Sequence, residues 1–131
     1  MTEKPVIVVG GGPVGLVAAL ELARADVPVV LLERLDAPES DLRASTFHPP
    51  TLEMLDRLGL AAPLIESGLE SPTWQIRLHE THERAVFDLS LLAADTRYPF
   101  RLQNEQSTLS RLALERVRAT DAIDLRMGAT V

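Results

Sequence analysis

At 131 residues the chain has the length of one ordinary domain, enough to bury a core but short for an enzyme that handles two substrates. Its 46% hydrophobic and 24% charged residues are a soluble globular composition and exclude a disordered chain. Nineteen acidic against thirteen basic residues give a formal charge of −6 with the arginines scattered, which speaks against nucleic acid as a partner; the lack of cysteine excludes disulfides, thiolate metal sites and redox thiols, and suits a reducing cytoplasm.

Residues 5–9 are a short, β-branched, continuously apolar run ended by glycine, the pattern of a central parallel strand buried on both faces. Residues 13–25 follow as a helix in which only Glu21 and Arg24 are polar, so the helix is expected to be largely buried. A second apolar strand spans 27–33 and closes on Glu33. Strand, helix and strand in this order form a βαβ unit, whose parallel strands need the crossover helix. Asp26, between helix and second strand, tolerates the left-handed conformation better than most residues. The same opening imitates a secretory signal, with Lys4, an apolar stretch and the triplet Ala23-Arg24-Ala25. Three consecutive glycines, Pro13, Glu21 and the second apolar run argue against that reading and against a membrane span.

Residues 36–45 read as loop, 50–58 as a helix with Leu52, Leu55 and Leu58 on one side and Gly59 at its C-terminus, and 62–67 as a second short helix closed by Gly68. Strand pieces at 73–79 and 85–89 flank the polar turn "ETHER" as a small β excursion. A helix at 105–119 carries the apolar stripe Leu109, Leu112, Ala113 and Val117, with Asn104 or Ser107 as N-cap, and a last short strand occupies 123–126. The fold class is therefore α/β, Rossmann-like, with a mostly parallel sheet and a small β excursion.

Gly10, Gly12 and Gly15 fit G-x-G-x-x-G where a strand ends and a helix begins. The first glycine permits the tight turn, the second lets a pyrophosphate approach the backbone, and the third lets helix and strand pack closely. Pro13 heads the helix, whose N-terminal N–H groups and partial positive charge favour an anion. Glu33 stands 18 residues after Gly15, placed to accept hydrogen bonds from the hydroxyls of an adenosine ribose. The bland alternative is a glycine turn beside a solvated acid. Glycines, flanking elements and acid together favour dinucleotide binding, with NAD and FAD left open because both carry the ADP half.

Beyond these residues, "RASTFHPPTLEMLDRLGL" and "YPFRLQNEQSTLSRLALE" add to the opening motif. With them the chain resembles the N-terminal part of the FAD-dependent class A aromatic monooxygenases, the family of para-hydroxybenzoate hydroxylase. The resemblance implies that Gly10, Gly12, Pro13 and Gly15 line the FAD pyrophosphate, that Glu33 holds the ribose with Arg34 beside it, and that Arg43 and Gln106 approach the phosphate and ribityl side. It also implies NAD(P)H as reductant, oxygen as co-substrate and a small phenolic substrate. The family's later Asp-Gly and Gly-Asp motifs occur nowhere in this chain, and its substrate-covering sheet is missing. Residues 1–131 therefore read as an incomplete FAD-binding domain that calls for a further C-terminal segment. Two alternatives stand beside this reading, a noncatalytic FAD- or ADP-binding module and an NAD-dependent dehydrogenase domain.

The remaining candidates have bland readings. His79 and His82 in "HETHE" are three apart in a strand-turn region and lack the four-residue helical spacing of a zinc motif, so no metal site is expected. His48 reads as a loop residue, and Trp74, Phe87, Tyr98 and Phe100 as packing or hairpin residues. No residue stands out as a catalytic acid, base or nucleophile.

Overall fold

The computed structural model describes residues 4–37 and 44–131, and divides into two compact units, Met1–Ala44 with Glu105–Val131 and Ser45–Asn104. The first unit holds strands β1 (Val6–Val9), β2 (Val29–Leu32) and β8 (Ile123–Arg126) and helices α1 (Pro13–Arg24) and α4 (Gln106–Arg118). All three strands are parallel, in the order β1-β2-β8, with Val6 opposite Val29 and Val29 opposite Ile123. Leu16, Ala19 and Leu20 of α1 and Leu109, Ala113 and Val117 of α4 are buried, together with Val29, Leu31 and Ile123 of the sheet. Burying each leucine, valine or isoleucine of this set stabilises by about 1.5–3 kcal/mol, which holds the short strands under their helices.

The βαβ reading of the first 33 residues holds, with one correction. Among the described residues β1 stands at the edge of the three strands and not at their centre, pairs with β2 alone, and is not buried on both faces, Ile7 and Val9 each being 63% exposed. Ile7 and Val9 alternate onto one face of the strand, and among the described residues nothing covers that face, while β2 takes the middle place of the three strands. Helix α1 is buried along Leu16, Val17, Ala19 and Leu20, while Val14 at its head is 82% exposed. Asp26 has φ +59°, the left-handed conformation expected of the return into β2.

The second unit contains β3 (Thr46–Phe47), α2 (Pro49–Arg57), α3 (Ala61–Glu66), β4 (Leu69–Ser71), β5 (Thr73–Arg77), β6 (Arg84–Asp88) and β7 (Arg101–Gln103). Helices α2 and α3 and the hairpin β5–β6 match the expected pattern closely. The antiparallel sheet β3-β7-β4 does not appear in the sequence reading at all. Phe47, Leu52, Leu55, Leu64 and Leu102 are its buried residues and those of the helices beside it. In the hairpin, Trp74 and Phe87 are directly opposite and stacked at 4.2 Å between ring centres, so both serve packing as expected. Tyr98 and Phe100 meet edge to face at 6.2 Å, and the Tyr98 hydroxyl donates to Asp56, which also pairs with Arg97. Among the described residues no group of three side chains could hold a metal ion, and no helix is long and apolar enough to cross a membrane.

Helix α4 corrects a further expectation. Its N-cap is Glu105, without a side-chain cap bond; Asn104 instead donates to the Leu64 carbonyl and the Ser67 hydroxyl, and the Ser107 hydroxyl donates to Glu105. The first turn of α4 therefore keeps its N–H groups free of side-chain caps.

Candidate functional site

The turn from β1 into α1 is shaped by its glycines. Gly10 has φ +105°, a conformation L side chains rarely adopt, and its N–H donates to the Leu32 carbonyl at 2.8 Å. A Cβ added at Gly15 would stand 1.9 Å from the Gly10 carbonyl oxygen, so a side chain there is incompatible with the seating of α1 on the turn. A Cβ at Gly12 would meet nothing within 4 Å. Gly10 is needed for its positive φ and Gly15 for close packing, whereas Gly12 is required by neither, and the space at its Cβ position is open. It is also the N-cap of α1, carries no side-chain cap bond, and precedes Pro13 at the first helical position, where a missing N–H costs nothing.

Glu33 lies just past the end of β2, fixed by its own backbone: its N–H donates to Arg126 at 2.9 Å and its carbonyl accepts from Ala129 at 2.8 Å. Its carboxylate accepts from the Leu35 N–H at 2.8 Å and from the Gly11 N–H at 2.5 Å. The Leu35 hydrogen bond is the main reason its pKa lies below the ordinary glutamate value; partial burial opposes this, and the Gly11 bond and the Arg34 charge add to the lowering. The group is ionised at neutral pH and presents acceptors only.

Gly12, Pro13, Glu33, Arg34 and Gln106 line one cavity of about 210 Å³ within the first unit. Gln106 is the first residue of α4, and its N–H donates to the Ala44 carbonyl at 2.9 Å. The cavity therefore meets the heads of two helices, α1 and α4. Gly10 and Gly15 shape the turn without lining the cavity, and Arg43 lies outside the described residues.

The sequence matches the family model described as "FAD binding domain" over residues 3–131. The chain belongs to this family. Curated relatives of this FAD-binding domain include the 6-hydroxy-3-succinoylpyridine 3-monooxygenase HspB of Pseudomonas putida (strain DSM 28022 / S16), 40% identical over 98% of this chain and 33% of that protein. The para-nitrophenol 4-monooxygenase of Pseudomonas sp. (strain WBC-3) is 36% identical over 99% of this chain and 32% of its own length. Among solved structures, the p-nitrophenol 4-monooxygenase PnpA of Pseudomonas putida DLL-E4 superposes with a TM-score of 0.85 at 37% identity, covering 95% of this chain and 32% of that one. The chain spans about a third of the length of the relatives it matches.

The site fits the ADP half of the family's cofactor on its own geometry. A diphosphate can approach where Gly12 has no side chain, facing the uncapped first turn of α1, and ribose hydroxyls can donate to Glu33 at the other end. Several residues of this FAD-binding domain escaped the sequence reading. Ser107, Ser110 and Leu114 of α4, together with Gly11, Leu16, Leu35, Ala37, Leu125 and Met127, complete the cavity wall. A signal for part of the set was present: Gln106, Ser110 and Leu114 are spaced by four and share a helix face. Gly11 gave no signal, because it contributes a backbone N–H.

Proposed function

We propose that this chain binds FAD through the cavity at the head of α1 and supplies the FAD-binding part of a flavoprotein monooxygenase that hydroxylates an aromatic ring using NAD(P)H and O2. The observation that carries the binding half is the pairing of an open Cβ position at Gly12 with a carboxylate at Glu33 in one cavity. Gly10 and Gly15 hold the turn in shape, Gly12 and Pro13 face the diphosphate, and Glu33 accepts from the ribose with Arg34 beside it. Gln106, at the head of the second helix, serves the phosphate and ribityl side, the role that the family resemblance also implies for Arg43, which lies outside the described residues. FAD supplies the redox chemistry when bound; the residues here bind and orient it, and none of them acts as acid or base.

The substrate class follows from the relatives, which are named for a hydroxypyridine and for nitrophenol, both six-membered aromatic rings carrying an oxygen substituent. A phenolic or closely related ring is the substrate on this reading, NAD(P)H is the reductant, and the cytoplasm is the setting. Residues 1–131 serve as the N-terminal part of the FAD-binding domain, with the substrate-covering part contributed by further sequence, since the relatives are about three times as long. Titration with FAD and with NAD tests the cofactor: FAD binding that ADP competes away supports the proposal, whereas binding of NAD and not FAD would place the chain among the dehydrogenases. In the full-length protein, NAD(P)H oxidation stimulated by a phenol tests the reaction.

A further inference from the structure

Three glycines in succession, Gly10, Gly11 and Gly12, form the β1–α1 turn, and glycine has more conformational freedom to lose than any other residue. A turn of this composition is costly to order at the moment a ligand arrives, unless the protein orders it beforehand. Two hydrogen bonds from outside the turn do so. The Gly10 N–H donates to the Leu32 carbonyl at 2.8 Å, and the Gly11 N–H donates to the Glu33 carboxylate at 2.5 Å. The second is a bond to a charged acceptor across 22 residues of sequence, from a side chain whose backbone is itself tied to Arg126 and Ala129. Its other oxygen is held by the Leu35 N–H, so the carboxylate cannot turn freely away. Contact along the side chain is equally close: a Cβ at Gly11 would stand 2.9 Å from the Glu33 Cβ and 3.1 Å from its Oε2.

From this geometry we infer that Glu33 is a positioning residue for the glycine turn as well as an acceptor for ribose, and that it therefore strengthens the binding of the diphosphate, which it does not touch. The inference rests on the ADP site proposed above. It makes a prediction that a ribose acceptor alone does not: removing the Glu33 carboxylate weakens a nucleotide that has no ribose hydroxyls to offer.

The test compares wild type, Glu33→Ala and Glu33→Gln in binding ADP and 2′,3′-dideoxy-ADP, with amide hydrogen exchange by NMR on the ligand-free proteins. A charge-assisted hydrogen bond of this kind corresponds to roughly a tenfold to hundredfold effect. Glu33→Ala is expected to bind dideoxy-ADP roughly tenfold more weakly than wild type and to lose a larger factor toward ADP. Protection of the Gly11 amide should fall by at least roughly tenfold, while that of Gly10, bonded to Leu32, stays close to wild type. Glu33→Gln keeps one oxygen acceptor and should restore part of the Gly11 protection. Equal dideoxy-ADP binding by wild type and Glu33→Ala, or unchanged Gly11 exchange, overturns the inference while leaving ribose recognition intact. If Glu33→Ala does not fold, the same comparisons with Glu33→Gln decide. If wild type binds neither nucleotide, the ADP site falls, and Gly11 exchange still decides whether Glu33 holds the turn.

Discussion

Gly12 at the N-cap of α1 and Gly15 in its first turn should fail in opposite ways when each is given a methyl group. In Gly15→Ala the new Cβ would lie 1.9 Å from the Gly10 carbonyl oxygen. Reaching an ordinary contact of about 3.5 Å requires the helix and the turn to separate by roughly 1.6 Å. Leu16, Ala19 and Leu20 on the same helix are buried at 0 to 4% exposure, so that movement would open the core beneath them. Overpacking typically costs about 1–3 kcal/mol, and an overlap against backbone belongs at the upper end, about 3 kcal/mol, or a fall in Tm of roughly 10 °C. Gly12→Ala is the counterpart. Gly12 has φ −71° and ψ 178°, extended backbone that alanine adopts, and its Cβ would meet nothing within 4 Å. Its stability should stay within about 1 kcal/mol of wild type, on the favourable side, because the unfolded chain loses freedom. Its affinity for ADP should nevertheless fall at least roughly tenfold, since the methyl occupies the approach of the diphosphate. Urea denaturation followed by circular dichroism, with ADP titration of the folded proteins, separates the two. A Gly15→Ala protein as stable as wild type, or a Gly12→Ala protein that binds ADP undiminished, would refute the reasoning.

Three further outcomes follow. Glu33 has a lowered pKa in the folded protein, so its contribution to stability is present above the ordinary glutamate value and is lost as pH falls through the folded one; acid denaturation of Glu33→Gln should show a shallower loss over that range than wild type. Tyr98 is the only tyrosine, and burial, then its hydrogen bond to Asp56, raises its pKa; tyrosinate absorbance should therefore appear above the ordinary tyrosine range and move back toward it in Asp56→Asn. Asp26 at φ +59° should accept glycine with no loss of stability, whereas Asp26→Val should cost about 1–2 kcal/mol in the same urea assay.

The parts of the fold that were legible in the sequence are those whose partners lie close along the chain. Residues 6–33 carry strand, glycine turn, helix and acid within one βαβ unit, and each leaves a mark in residue type. The sheet β3-β7-β4 left none, because its strands are two or three residues long and Thr46 pairs with Gln103, so no periodicity can accumulate and the contact is far from local. In β1 the apolar run pointed to two covered faces, but among the described residues the face carrying Ile7 and Val9 has nothing over it. In the site, Gly12, Glu33 and Gln106 were visible as side-chain choices, and Gln106 entered by family resemblance. Gly11 was invisible because its function is an N–H that every residue but proline carries. The N-cap of α4 falls one residue later than Asn104, on Glu105, and the Asn104 side chain is anchored instead through its NH2 group to the Leu64 carbonyl and the Ser67 hydroxyl.

Calorimetric titration with FAD, repeated in excess ADP, tests the central claim most directly. The account predicts a single saturable site that ADP suppresses and Gly12→Ala weakens at least roughly tenfold. FAD binding that ADP leaves untouched, or a folded protein that binds neither ligand, would contradict it.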